Sequence, residues 1–164
     1  MLINSLFSIV PAKSHGTDDY DTGDTPFITN SRLNNGVARF VEPIPGDKVI
    51  DAFTICISGL GYATLQVKDY LPKGNGGDSA TILIPLTAMT FEELLFYTAQ
   101  FNLIHGWRFS FGRKASKKRI EKLSFSEVYN HLQIENDFSG NVKRKLSLKL
   151  NELNLNIPVE STNM

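Results

Sequence analysis

Residues 53–67 have the sequence FTICISGLGYATLQV, in which two apolar segments flank Ser58-Gly59-Leu60-Gly61. Short apolar runs with β-branched members, bounded by glycines, are typical of buried strands. The two glycines permit a tight turn and the close approach of another backbone or of a phosphate. We therefore predict a hairpin of two strands. The GLG sequence is not a dinucleotide-binding fingerprint, because a strand pattern follows it and no third glycine opens a helix.

Further strands are predicted on both sides of this hairpin. Upstream, Phe27-Ile28 and residues 37–41 are strand-like, and Asn34-Asn35-Gly36 between them is a strong turn signal, since Asn and Gly adopt positive φ at low cost. Downstream, residues 81–84 form another apolar run after a glycine-rich loop. The sequence thus predicts a second hairpin-like unit with an amide-rich tip.

One helix is predicted clearly. Thr90 and Glu93 form a capping box, and apolar residues then recur with helical spacing until Gly106 ends the helix. We expect His105, just before that glycine, to be a packed or capping residue, because no second His or Cys stands at metal-ligand spacing from it. The expected fold class is therefore α+β, with a mixed β-sheet and a long packed helix in a single domain over residues 1–125.

Residues 126–164 are expected to be a C-terminal helical extension. The leucines within residues 143–157 fit either one short helix or two strands, and we favour the helix because Lys, Arg, Leu and Glu dominate while β-branched residues are nearly absent.

A basic segment follows the predicted helix. Residues 106–123, GWRFSFGRKASKKRIEKL, first alternate aromatics with Arg108 and Ser110 in the two-residue period of a strand, and then turn at Gly112. If Ser116 starts a short helix, its first turn is cationic, and a docked phosphate would relieve the repulsion from the helix dipole. A solvated basic face is an equally good interpretation of the charges alone. The cations after the turn are Arg113, Lys114, Lys117, Lys118, Arg119 and Lys122.

The amide-rich tip also permits two interpretations. Asn can form a bidentate pair with adenine and Arg with guanine. Asn also belongs in turns for conformational reasons, and on residue type alone we favour the turn. The residues concerned are Asn30, Arg32, Asn34 and Asn35.

Composition narrows the function classes. The 164 residues carry 17 Lys and Arg against 17 Asp and Glu, so wholesale, sequence-independent coating of nucleic acid is disfavoured. No apolar run reaches the ~20 residues of a membrane span, no signal peptide is expected, and the single Cys56 in an apolar run indicates a buried thiol in a reducing, cytoplasmic setting. We find no motif typical of methyltransferases, of nucleases or of Ser or Cys hydrolases, and we predict no cofactor and no metal site.

Several short motifs, in their order and spacing, resemble a target-recognition domain of restriction-modification specificity subunits, of type I and more closely of type IIB-like systems. The resemblance covers about residues 6–125. The motifs are Gly23-Asp24-Thr25-Pro26-Phe27-Ile28-Thr29, Asn34-Asn35-Gly36-Val37, Ile57-Ser58-Gly59-Leu60-Gly61, Ile82-Leu83-Ile84-Pro85, the helix from Phe91 to Phe101, and Phe111-Gly112-Arg113-Lys114.

The resemblance implies an α+β domain that recognises a half-site of double-stranded DNA and delivers it to DNA methyltransferase and restriction subunits, without catalytic residues of its own. From the positions of the matching motifs, the resemblance implies that three stretches face DNA: the amide-rich tip, the glycine turn at residues 58–61, and the basic segment. The predicted DNA-binding residues are Asn30, Arg32, Asn34, Asn35, Ser58, Gly59, Gly61, Arg108, Arg113, Lys114, Lys117, Lys118 and Arg119.

The chain departs from the family pattern in two respects. It has one recognition domain where members usually carry two, so a homodimer would be needed to recognise both halves of a split site. It also lacks the expected Leu-Pro pair after the basic segment, where Leu123-Ser124 stands, which leaves the closing strand undetermined. Two alternatives stay open: a protein-interaction module or decoy that binds restriction-modification subunits, and a structural protein with an incidental basic patch.

Overall fold

Four strands form an antiparallel sheet around the predicted glycine-turn hairpin. In chain order they are β1 (Phe7–Pro11), β4 (Thr54–Ile57), β5 (Ala63–Gln66) and β7 (Thr81–Pro85), and their order in the sheet is β1-β7-β4-β5. The hairpin pairs Ile57 with Ala63 and Thr54 with Gln66. The sequence prediction of these two strands and of the strand at 81–84 is confirmed.

Three strands form a second sheet. These are β2 (Thr22–Ile28), β3 (Val37–Val41) and β6 (Leu71–Pro72), in the order β3-β2-β6, with β2 antiparallel to β3 and parallel to β6. A single 3₁₀ turn, Asn34–Gly36, lies in the predicted amide-rich tip. The expected single mixed sheet is therefore replaced by two sheets, because strand pairing depends on partners distant in the chain.

The main helix begins as predicted. Helix α1 (Phe91–Gln100) starts with a capping box in which Glu93 N donates to Thr90 Oγ1 (3.2 Å) and Thr90 N donates to Glu93 Oε2 (2.7 Å). A π-helical turn, Phe101–His105, and a 3₁₀ turn, Gly106–Arg108, continue the chain, and a short helix α2 (Lys117–Ile120) follows. With two sheets and one main helix, the α+β class is confirmed.

These elements pack in layers. On one side of the four-stranded sheet, the Phe7 ring meets the Tyr97 ring of α1 edge-on at 5.5 Å. Between the two sheets lies a cluster that includes Ile28, Tyr70 and the buried Cys56, whose thiol pKa is raised by burial to about 12. Strands β4 and β7 are thus covered on both faces, which explains why their sequences are continuously apolar.

The prediction of a strand at the start of the basic segment is wrong. Residues 106–108 form the 3₁₀ turn, and ladder pairing there is limited to an isolated bridge between Ser110 and Arg113. The alternation has another cause: Phe109 is buried and stacks on Phe101 (centroids 6.1 Å apart), whereas its aromatic neighbours in the pattern point outward. One buried ring between two exposed rings produces the same two-residue alternation in the sequence as a strand does.

The N-terminus supplies the partner for the segment after α2. Ile3 N donates to Leu123 O (3.0 Å), and Phe125 N donates to Met1 O (2.8 Å). Residues 123–125 therefore join the first residues of the chain without the Leu-Pro pair of the family pattern.

The computed structural model describes residues 1–126 and Arg144. The chain divides into two units, Met1–Glu127 and Val128–Met164, and every element above belongs to the first. The predicted C-terminal extension, including the choice between helix and strands over 143–157, lies outside the described residues. None of the helices within the described part has the length and apolarity needed to cross a membrane.

Candidate nucleic-acid interface

Three stretches predicted to face DNA meet at one end of the four-stranded sheet. Ala115 N, in the basic segment, donates to Gly59 O of the glycine turn (2.8 Å). The Arg32 guanidinium, in the amide-rich tip, lies 5.1 Å from the ring centroid of Tyr62, next to that turn. The tip and the basic segment therefore both contact the region of the β4–β5 turn, although more than seventy residues separate Arg32 from Arg108 in sequence.

The glycine turn itself is packed inside the protein. Ser58, Gly59 and Gly61 are buried. A Cβ at Gly59 would lie 2.5 Å from Asp78 O, and one at Gly61, where φ is +84°, would lie 2.6 Å from Phe109 Cβ. The close approach that the glycines permit is made to the protein's own chain, so we leave these three residues out of the proposed interface.

Two amides of the tip are held by other parts of the domain. Asn30 Nδ2 donates to the Asp78 carboxylate, which also pairs with Lys73 Nζ at 2.8 Å. The hydrogen bond and charge of Lys73 hold the Asp78 pKa below its ordinary value, with a smaller contribution from Asn30. Asn35 Nδ2 donates to Leu65 O of strand β5 (2.8 Å). Both side chains thus have structural partners.

Arg32 and Asn34 differ from these two amides, because among the described residues no side-chain hydrogen bond holds them, whereas Asn35 is hydrogen-bonded although it is also exposed. Asn34 adopts a positive φ of 51°, which suits Asn in a turn. A ligand can therefore contact these two side chains without displacing the hydrogen bonds that hold Asn30 and Asn35.

The basic segment is anchored by apolar residues and presents its cations outward. Ala115 and Ile120 are buried, while Arg113, Lys117, Lys118 and Arg119 are exposed and Lys114 is partly so. Ser116 precedes the short helix α2 as its N-cap residue, although its side chain makes no capping hydrogen bond. Since α2 has only four residues, its dipole is small, and the attraction for anions comes from the side chains.

Most of these cations lack a strong internal counterion. Lys117 Nζ lies 3.7 Å from Glu121 Oε1 in an exposed pair, which contributes little to stability. Arg119 Nη1 donates to Lys114 O at 2.8 Å, an interaction that orients the guanidinium without neutralising it. The charge of the segment is therefore available to an anionic ligand.

Two exposed aromatic residues of the segment were not predicted as site residues. Trp107 and Phe111 are 75% and 83% exposed. The guanidinium carbon of Arg108 lies 4.8 Å from the Trp107 ring centroid, and Lys114 Nζ lies 5.0 Å from that of Phe111. The sequence shows the aromatic-basic alternation, but it does not tell which of the three aromatic rings points inward.

A second polar cluster, also missed, lies around Asp47. Its Oδ1 accepts hydrogen bonds from Tyr20 OH and His15 Nδ1, both at 2.8 Å, and its Oδ2 accepts one from Ile44 N at 2.9 Å. Burial acts to raise the Asp47 pKa, but these hydrogen bonds outweigh it and lower the pKa. These donors saturate the carboxylate, and they come from two loops that the cluster joins. We therefore assign the cluster a structural role.

Comparison with known proteins returns no relatives. No protein-family model, no curated protein and no solved structure matches the chain at a significant level. Within the described residues, no three His, Cys, Asp or Glu side chains are grouped so that they could hold a metal ion.

Proposed function

We propose that the domain recognises double-stranded DNA sequence-specifically, as a half-site reader for the methyltransferase and restriction subunits of a restriction-modification system, without catalysis of its own. The observation that carries the proposal is that the amide-rich tip, with Arg32 and Asn34 exposed, and the cationic segment both contact the region of the β4–β5 turn. A reader needs both kinds of group in reach of one duplex, since phosphate contacts fix position and base contacts specify sequence.

The distribution of charge supports the proposal. The chain has no net charge, yet residues 106–123 contain seven Lys and Arg and a single carboxylate, Glu121. Binding energy from phosphate neutralisation would then be concentrated at this segment, which orients the duplex on the domain. Arg113, Lys117, Lys118 and Arg119 would hold phosphates, and Arg32 and Asn34 would contact base edges.

The salt dependence of binding tests the phosphate-contacting residues. Arg113→Ala and Lys117→Ala should each weaken binding to every duplex and reduce the slope of log affinity against log salt by about one. Lys48→Ala, which removes an exposed cation outside the segment, is the matched control and should leave the slope unchanged. Equal slopes for all variants would remove the segment from the interface.

Selection from a random duplex library tests specificity. The wild-type domain should enrich one motif, and Arg32→Ala should relax the preference at particular base pairs with a small effect on overall affinity. The selection is repeated with a candidate methyltransferase subunit present, because half-site readers act within a complex. If neither selection enriches a motif, the proposal of sequence-specific recognition is wrong.

One observation favours a second candidate, a protein-interaction module or decoy for restriction-modification subunits. Leu103 is 80% exposed and Ile104 is also exposed, which places two large apolar side chains at the surface of the π-helical turn. The double variant Leu103→Ala with Ile104→Ala should then lose binding to a purified methyltransferase or restriction subunit and keep its DNA affinity. Leu86→Ala, another exposed apolar residue, serves as the control.

Homodimerisation would let two copies of this domain present two half-site readers. Sedimentation with a duplex that carries two copies of the selected motif distinguishes one bound domain from two.

A further inference from the structure

The aromatic side chains of the basic segment are exposed on a firmly anchored backbone. Trp107 and Phe111 flank Phe109, which is buried and lies parallel to Phe101 with an interplanar angle of 2°. Ahead of Trp107, a Cβ at Gly106 would approach Gly61 O to 3.2 Å, so the backbone is also held closely there. The two rings are therefore presented outward by packed neighbours and do not belong to a frayed end.

The polar atom of Trp107 is already used within the protein. Its indole Nε1 donates to Ile104 O at 2.8 Å, which sets the orientation of the ring. What Trp107 offers a ligand is therefore the flat surface of the indole, and that surface favours another π-system.

Each exposed ring carries its own cation. Arg108 lies over Trp107 and Lys114 over Phe111, at the distances given above, and both can reach anions beside the rings. Arg108 Nε is buried without an acceptor among the described residues, so an oxygen atom of a ligand would reach it only after the side chain moves. A flat π-system joined to an anion is the chemistry of a nucleotide unit.

We propose that Trp107 stacks on a nucleobase that has left the base stack of the bound DNA, while Arg108 contacts a phosphate beside that base. This inference rests on the proposed function and deepens it, because it assigns the segment an aromatic contact in addition to its phosphate contacts. Stacking on aromatic side chains tolerates any base, since every base has a π-face. Trp107 would therefore add affinity for unpaired positions, and Arg32 with Asn34 would supply the sequence preference.

The single tryptophan makes the test direct, because fluorescence excited at wavelengths that the five tyrosines do not absorb comes from one indole. The protein is titrated with a matched duplex, the same duplex with one mismatch, and the single strand, while anisotropy of labelled DNA measures binding independently. Trp107 fluorescence should be quenched in proportion to the bound fraction. The mismatched duplex should bind more tightly than the matched one, because unstacking a base there costs less.

Substitutions separate stacking from charge. Trp107→Ala should weaken binding to the single strand and to the mismatched duplex roughly 5- to 150-fold, the range of one base–aromatic contact, and Trp107→Phe should restore most of it. Leu103→Ala, next to the same turn, should change neither. Arg113→Ala should lower affinity but keep the full quenching at saturation.

The outcomes distinguish this inference from the proposed function. DNA binding by anisotropy with unchanged Trp107 fluorescence, and with Trp107→Ala equal to wild type, would overturn stacking and leave DNA recognition intact. Quenching by single strands without binding of duplex would support stacking and contradict recognition of double-stranded DNA. Absence of binding to every DNA would overturn both, and loss of only a protein partner in Trp107→Ala would assign the ring to a protein interface instead.

Discussion

Asn34 and Asn35 are adjacent, identical in type and similar in backbone, yet their side chains have different surroundings. Both adopt a positive φ, 51° and 54°. The Asn35 amide donates to Leu65 O, and the Asn35 carbonyl accepts from Gln66 Nε2 at 3.1 Å, so this residue joins the tip to strand β5. Asn34 is exposed. One member of the pair therefore supports the fold, and the other is free to contact a ligand.

Asn35→Gly should lower the free energy of unfolding by about 1 kcal/mol more than Asn34→Gly, because it alone removes the hydrogen bond to Leu65 O. Glycine keeps the positive φ accessible in both variants, so backbone strain cancels in the comparison. Urea denaturation measures the difference. Equal unfolding midpoints would show that the Asn35 amide contributes nothing to stability.

Strand β5 lies at an edge of its sheet, and side chains cover the outward side of its backbone. Asn102, in the π-helical turn, accepts from Ala63 N through Oδ1 (2.8 Å) and donates to Ala63 O through Nδ2 (2.9 Å). Asn35 covers Leu65 O in the same way. Unpaired edges are templates for pairing with another chain, so these amides act where a further strand would otherwise add.

Asn102→Ala should lower the free energy of unfolding by about 2 kcal/mol, because two hydrogen bonds to a buried residue are lost. The variant should also self-associate, since the edge at Ala63 becomes available for pairing. Urea denaturation and sedimentation velocity measure the two effects, with Leu103→Ala as a control for changes in the same turn. A stable, monomeric Asn102→Ala would contradict the assignment.

Across the whole domain, burial and internal hydrogen bonds favour particular protonation states. His105 is buried and donates from Nε2 to Ser124 O at 2.8 Å. Burial lowers its pKa from the ordinary value of 6.5, and the nearby Arg108 lowers it further, while the bond to Ser124 acts in the opposite direction. The pKa values of Asp47 and Asp78 are lowered from 3.8.

These directions predict that acid destabilises the domain in two stages. Neutral His105 contributes stability that is fully present above about pH 6.5 and is lost as the pH falls below that value. The reason is that the unfolded chain then binds a proton more readily than the folded protein does. Asp47 and Asp78 contribute stability that is present above 3.8 and is lost as the pH falls through their lower folded values. Urea midpoints measured from pH 8 to pH 3 should fall in both windows.

His105→Gln isolates the first stage, since the amide can still donate to Ser124 O but does not titrate. Its unfolding midpoint should change less than that of the wild type between pH 7 and pH 5, and it should match the wild type in the shape of the decline below pH 4. If the unfolding midpoint of His105→Gln falls as steeply between pH 7 and pH 5 as that of the wild type, groups other than His105 cause the first stage.

Local sequence signals were enough to predict three features: the strands on either side of Gly59, the turn at Asn34-Asn35-Gly36, and the helix start at Thr90 with Glu93. Each depends on residues a few positions apart, so backbone preference and short-range hydrogen bonding decide it. Three other features follow from long-range packing: the strands form two sheets, Asn35 and Asn102 bind strand β5 from 30 and 39 residues away, and Phe109 is buried while Trp107 is exposed. These features depend on which distant surfaces meet when the core is buried, and periodicity along the chain does not contain that information.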